Sequence, residues 1–229
     1  MDILIFGATG MVGQSVLREC LDAPDVGRVV CVGRSPTGIS HPRLADVTTP
    51  DLTDLRAVKD RLTPFDACFF CLGVSSVGMD EATYTKVSYD LTMSVARSLV
   101  EINPALTFTY VTGAGTDSTE AGKTMWARVK GKTENDLLKL PFKGAYMFRP
   151  GIIQPLHSVR SKTALYRVAY QIATPIFALL KRFSPGSLVT SVEVGRAMLS
   201  VAKDGYVRPI LEVADIQAAA AKRSKAAMS

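Results

Sequence analysis

Long apolar runs are missing from this chain. The longest, around Ile172 to Leu180, is broken by Pro175 and falls short of the roughly 18 residues that a membrane span needs. A basic leader is also missing: Asp2 stands where a secretory signal would carry positive charge, and the apolar residues behind it fit a strand. A cytoplasmic location is therefore expected. Histidines number two and cysteines four. The only C-x-x-C, Cys68 to Cys71, has neither a second pair nor neighbouring histidines, so a zinc site is excluded. In a strand, residues three apart point to opposite faces, so Cys68 and Cys71 are expected as buried free thiols.

Nucleic acid is not an expected partner either. Half of the net charge of +6 lies in Lys222, Arg223 and Lys225, in an Ala-rich tail with no interleaved aromatics. Such a tail is expected to be a solvated end. The mild excess elsewhere suits an anionic cofactor.

What is present is a βαβ rhythm. Ile3–Phe6, Val29–Val32, a short strand ending near Asp46 and Val47, Ala67–Leu72, Leu106–Val111 and Ala145–Phe148 read as strands. Helical patterns separate them, at 54–62, 81–100 and 126–138 among others. The order predicts an α/β fold with a doubly wound parallel sheet. One domain is expected over 1–229, with a dinucleotide-binding core to about residue 150 and a small C-terminal substrate region beyond.

The segment Gly7-Ala8-Thr9-Gly10-Met11-Val12-Gly13 joins the first strand to the first helix. A helix N-terminus offers unpaired N–H groups and the positive end of its dipole to an anion, and glycines let a pyrophosphate approach. Gly7, Thr9, Gly10, Met11, Val12 and Gly13 are read as cofactor-binding residues. In such a sheet the ligand lies beyond the carboxyl ends of the strands, which adds Gly33, Arg34, Asp46, Val47, Leu72, Gly73, Thr112, Pro150 and Gly151. The second strand ends in Gly33-Arg34, with no carboxylate to bind a ribose diol. Arg34 suits a 2′-phosphate, so NADP(H) is preferred, with NAD(H) as the alternative.

The stretches Phe70-Cys71-Leu72-Gly73, Tyr110-Val111-Thr112-Gly113-Ala114, Val129-Lys130-Gly131-Lys132-Thr133-Glu134 and Phe148-Arg149-Pro150-Gly151 resemble the atypical short-chain dehydrogenase/reductases. These are NAD(P)-binding Rossmann proteins that include epimerase-like and NmrA-like members. The chain looks most like the subgroup of the Tat-interacting oxidoreductase-like protein and its bacterial relatives. The resemblance implies catalytic roles for Thr112 and Lys130, with Lys130 also holding the nicotinamide ribose. It further implies a tyrosine four residues before the lysine as acid/base, and here that position is Trp126. Indole cannot pass a proton near neutral pH. Either another hydroxyl, such as Tyr146, Tyr166 or Tyr84, reaches the site, or the protein binds NADPH without turnover as a redox sensor. Tyr110, inside a strand, is set aside.

Trp126 is expected beside the nicotinamide or as a core anchor. In the C-terminal region His157, Arg160 and Lys162 precede an apolar stripe from Leu165 to Phe183, read as packing on the core or on a second copy in a homodimer. A small-molecule substrate, or none, is the expected partner.

Overall fold

The computed structural model of the chain describes residues 1–156 and 185–226. His157, Arg160, Lys162, Tyr166 and the stripe from Leu165 to Phe183 lie outside the described residues. The strands β1 (Asp2–Phe6), β2 (Arg28–Gly33), β3 (Leu44–Thr48), β4 (Ala67–Phe70), β5 (Thr107–Val111), β6 (Gly144–Phe148) and β9 (Ile210–Leu211) form one seven-stranded sheet. Its order is β3-β2-β1-β4-β5-β6-β9 and every pairing is parallel. Between β6 and β9 in sequence, β7 (Ile152–Gln154) and β8 (Leu188–Thr190) pair as a separate parallel ribbon. The order reverses between β1 and β4, where a doubly wound sheet opens its ligand crevice.

Alternation along the strands builds two cores. Ile3, Ile5, Cys31 and Phe69 meet Val16, Leu17 and Cys20 of α1 (Met11–Asp22), together with Val194 and Met198 of α5 (Ser191–Asp204) and Ile216 of α6 (Val213–Ala226). Leu4, Phe6, Cys68, Phe70 and Tyr110 point the other way, onto Met93 and Leu99 of α3 (Leu91–Ile102) and Leu137 of α4 (Met125–Leu137). The alternation separates the C-x-x-C pair as expected. Cys68 lies in the second core, Cys71 packs on the first, and all four thiols are free. Burial pushes the Cys71 thiol up to about 12, so it is inert as a nucleophile at neutral pH.

Several expectations need correction. The helix expected at 54–62 is a 3₁₀ turn, Arg56–Arg61, because Asp51 and Asp54 bond their own following backbone N–H groups. The strand expected to reach Leu72 ends at Phe70, which leaves Leu72 and Gly73 in the loop. The helix expected at 81–100 runs as α2 (Glu81–Thr85), a π turn (Lys86–Asp90) and α3. The tail is not wholly a solvated end: Arg223 folds back onto the carboxylate of Asp25, 2.8 Å through one nitrogen.

Candidate functional site: the crevice at the carboxyl end of the sheet

The glycine turn is built by close approach. Gly7 has φ +84°, and a Cβ there would lie 2.8 Å from the backbone of Cys71 and Leu72, so only glycine lets β1 turn under the β4 loop. At Gly13 a Cβ would stand 2.1 Å from the carbonyl oxygen of Gly7, so the helix packs directly on the turn. Gly10 caps α1 without a side chain, no acidic residue occupies the first turn, and the Gln14 amide donates to the Thr9 carbonyl at 2.9 Å. An open, positively polarised helix end faces the crevice.

Two adjoining hollows share Leu72. The smaller, about 130 Å³, runs from Gly7 and Thr9 along the end of β2 to Arg34, Ser35 and Thr37. Arg34 is exposed at its rim and makes no ion pair with a described residue. The larger hollow, about 450 Å³, takes in Gly10, Met11 and Val12, then Gly73, Tyr84, Thr112, Trp126 and Lys130. The structure thus gathers most of the predicted residues around one crevice. Five predicted residues are not brought to its walls: Gly13, which packs on the Gly7 carbonyl, and four others. The carboxylate of Asp46 accepts from the Thr37 amide and hydroxyl, and Val47 is buried in the core. The Pro150 carbonyl accepts from Ala114, and Gly151 lies against the Ser187 carbonyl, where a Cβ would come within 2.2 Å. A roomier groove of about 500 Å³ between α1, α5 and α6 lies at the other end of the sheet, lined by ion pairs such as Arg196–Glu19.

Lys130 is 6% exposed, and its ammonium donates to the Tyr110 hydroxyl at 2.8 Å while standing 4.6 Å from the centre of that ring. Burial works against the charge, but Tyr110 and Tyr84, with Glu134 behind them, outweigh it and lift Lys130 above the ordinary lysine value. A tyrosine–lysine pair thus exists here, with the phenol supplied by β5 instead of the preceding turn of α4. Spacing along the sequence could not reveal it, since the two residues are twenty apart. Tyr146, another hydroxyl considered from the sequence, is turned toward Tyr206, whose amide it receives at 3.2 Å.

Thr112 lines the crevice, but its hydroxyl donates to Glu134 at 2.6 Å. Glu134 is fully buried and takes both its oxygens to Arg149, which also reaches Ser118 at 2.5 Å and Glu212 at 3.3 Å. This network fixes α4 against the ends of β5 and β6, one turn beyond Lys130. Glu134 and Arg149 stand in motifs fifteen residues apart, and no spacing pattern along the chain marks them as a pair.

The family model for the NAD dependent epimerase/dehydratase family matches residues 3–136, more than half of the chain and all of the glycine turn, the Leu72 loop and α4 up to Asp136. Solved structures agree in fold. A short-chain dehydrogenase/reductase family oxidoreductase from Burkholderia thailandensis is 17% identical with a TM-score of 0.65, covering 100% of this chain and 97% of that one. The Bordetella bronchiseptica enzyme WbmF, solved in complex with NAD⁺, is 16% identical with a TM-score of 0.63 over 98% of this chain and 77% of its own. Among curated proteins, fmp52 of Aspergillus clavatus is 29% identical over 160 residues, and that of Aspergillus fumigatus 29% over 159. In both cases the match spans 66% of this chain and 66% of the relative, just under two thirds. Both are named as mitochondrial proteins, which overturns the cytoplasmic expectation; that expectation rested on the lack of a secretory leader and of a membrane-length run, neither of which distinguishes the cytoplasm from an organelle. The sheet order, the glycine turn under the β4 loop and the family match agree, and the chain belongs to the NAD dependent epimerase/dehydratase family.

Proposed function

We propose that the protein is an NADP(H)-dependent oxidoreductase acting on a small carbonyl or alcohol substrate. The observation that carries this reading is the crevice itself, in which a cradle that any Cβ would fill leads to a buried ammonium, Lys130. The turn from Gly7 to Gly13 fits a pyrophosphate. Arg34, with no counter-ion among the described residues and with Ser35 and Thr37 beside it, fits a 2′-phosphate; Asp46, the nearby carboxylate, is already held by Thr37. When bound, the nicotinamide supplies or accepts the hydride. Lys130 holds positive charge at the wall of the larger hollow, and Trp126 covers part of that wall and limits water there.

The test is titration with NADPH and, separately, NADH, followed by Trp126 emission and by calorimetry. Binding that favours NADPH supports the reading; no heat and no change in emission with either nucleotide overturns it. A second reading is favoured by one observation, Trp126 in the place of the family's tyrosine. On that reading the protein senses NADPH without turnover, and tight binding with no reduction of any carbonyl is the result that supports it.

A further inference from the structure

Tyr84 is 3% exposed on α2 and lines the larger hollow with Thr112, Trp126 and Lys130. Its hydroxyl makes no hydrogen bond to a described residue, and no fully buried side-chain oxygen or nitrogen among those residues lacks a partner. Tyr84 thus lines the hollow beside Lys130 with its hydroxyl taken up by none of the described residues. Tyr110 differs: it is fully buried, its hydroxyl is taken by Lys130, and its ring packs edge-on against Phe70 with centroids 5.7 Å apart.

The element that carries Tyr84 is fastened to α4 on both sides of it. Glu81 pairs with Arg128 at 2.6 Å, and the Tyr89 hydroxyl donates to Asp136 at 2.7 Å. In an α-helix residues five apart diverge around the axis; the wider π turn at Lys86–Asp90 brings Tyr84 and Tyr89 toward the same side. Tyr84 thus stands between two ties to α4, and Lys130 stands between their counterparts on α4.

We infer that Tyr84 is the proton donor to the substrate oxygen, supplying from α2 the hydroxyl that Trp126 removes from α4. The inference rests on the oxidoreductase reading above. In the reducing direction the Tyr84 O–H bond breaks as an O–H bond forms on the carbonyl oxygen. The carbonyl carbon would take its hydride from a bound dihydronicotinamide, which would be oxidised to the nicotinamide, and the phenolate regains its proton from the bulk medium, relayed by water in the hollow. The Lys130 ammonium, unchanged throughout, offsets the negative charge that develops on the phenol oxygen.

The experiment compares the protein with Tyr84→Phe, using NADPH and a panel of simple aldehydes headed by 4-nitrobenzaldehyde. The variant is expected to bind NADPH within about twofold of the parent and to turn over about 100-fold more slowly or worse. A second readout needs no turnover. With NADP⁺ in place of NADPH, the carbonyl stretch of bound 4-nitrobenzaldehyde should lie below its free frequency in the parent and return toward it in Tyr84→Phe. Tyr84→Met serves for the same comparison if the phenylalanine variant does not fold. Parent-like turnover or an unmoved carbonyl stretch in the variant overturns the role of Tyr84. So does a parent protein that binds NADPH and reduces no aldehyde of the panel. Failure of the parent to bind NADPH instead overturns the cofactor reading.

Discussion

Arg149 and Lys130 are both buried cations, and Glu134 lies close to each, yet they are neutralised differently. Arg149 meets both carboxylate oxygens and a second carboxylate, Glu212, so its charge is balanced within the fold. Lys130, one helical turn before Glu134, hydrogen-bonds a phenol, because the Glu134 oxygens are taken up by Arg149 and Thr112. A buried charge balanced in the fold maintains architecture; one left to neutral hydroxyls at the edge of a cavity is available to what enters it.

Removing one member of the balanced pair tests the first half of that contrast and has the largest expected effect. Glu134→Gln leaves Arg149 only the more exposed Glu212 as counter-ion and should cost about 3 kcal/mol in urea unfolding, whereas Glu134→Gln with Arg149→Met should cost less than the single change. Lys130→Met tests the second half. It removes a desolvated ammonium without stranding a partner charge, so stability should change by less than in Glu134→Gln, while NADPH affinity measured by calorimetry should fall roughly 10- to 100-fold. Arg34 extends the comparison to an exposed cation that pairs with no carboxylate among the described residues. Arg34→Ala should weaken NADPH binding by about tenfold and leave NADH binding unchanged, with no shift in unfolding midpoint.

The smallest effect belongs to an anion at the surface. Lys139, then Tyr89 and Lys132, hold Asp136 down at about 2 against its ordinary value. A depressed carboxylate contributes stability above its unfolded value near 3.9, and that contribution fades as pH falls toward about 2. Acid unfolding followed by circular dichroism should therefore show a shallower loss between about pH 4 and pH 2 in Asp136→Asn than in the parent. The same variant should loosen the Tyr89 tie to α4.

Much of the fold was legible because the central strands are apolar on both faces and the glycine turn follows one of them directly. Ala67–Phe70, Thr107–Val111 and the helix around Lys130 lie within a residue or two of where their patterns put them. The three-residue strands β7 and β8 were not legible, since each is too short to carry a periodicity and their pairing spans distant parts of the chain. In the crevice, the glycines, Arg34, Leu72, Gly73 and Lys130 were readable from position relative to strand ends. The hydroxyl that meets Lys130 was not: Tyr84 was readable only as one of three candidates, and Tyr110, set aside as a strand residue, bonds the lysine from twenty residues earlier, a meeting that arises from packing and not from spacing along the chain.

The turn at Gly7 is shaped by its contact with the backbone of Cys71 and Leu72, and β1 lies between β2 and β4. Order of assembly follows from this. A growing chain that has passed Gly13 already carries every residue of the glycine motif, yet the surface that bounds the motif arrives only with β4, some sixty residues later. Closing that distance must precede the contacts that reward it. A fragment ending before Ala67 would therefore contain the whole glycine motif and have no nucleotide site.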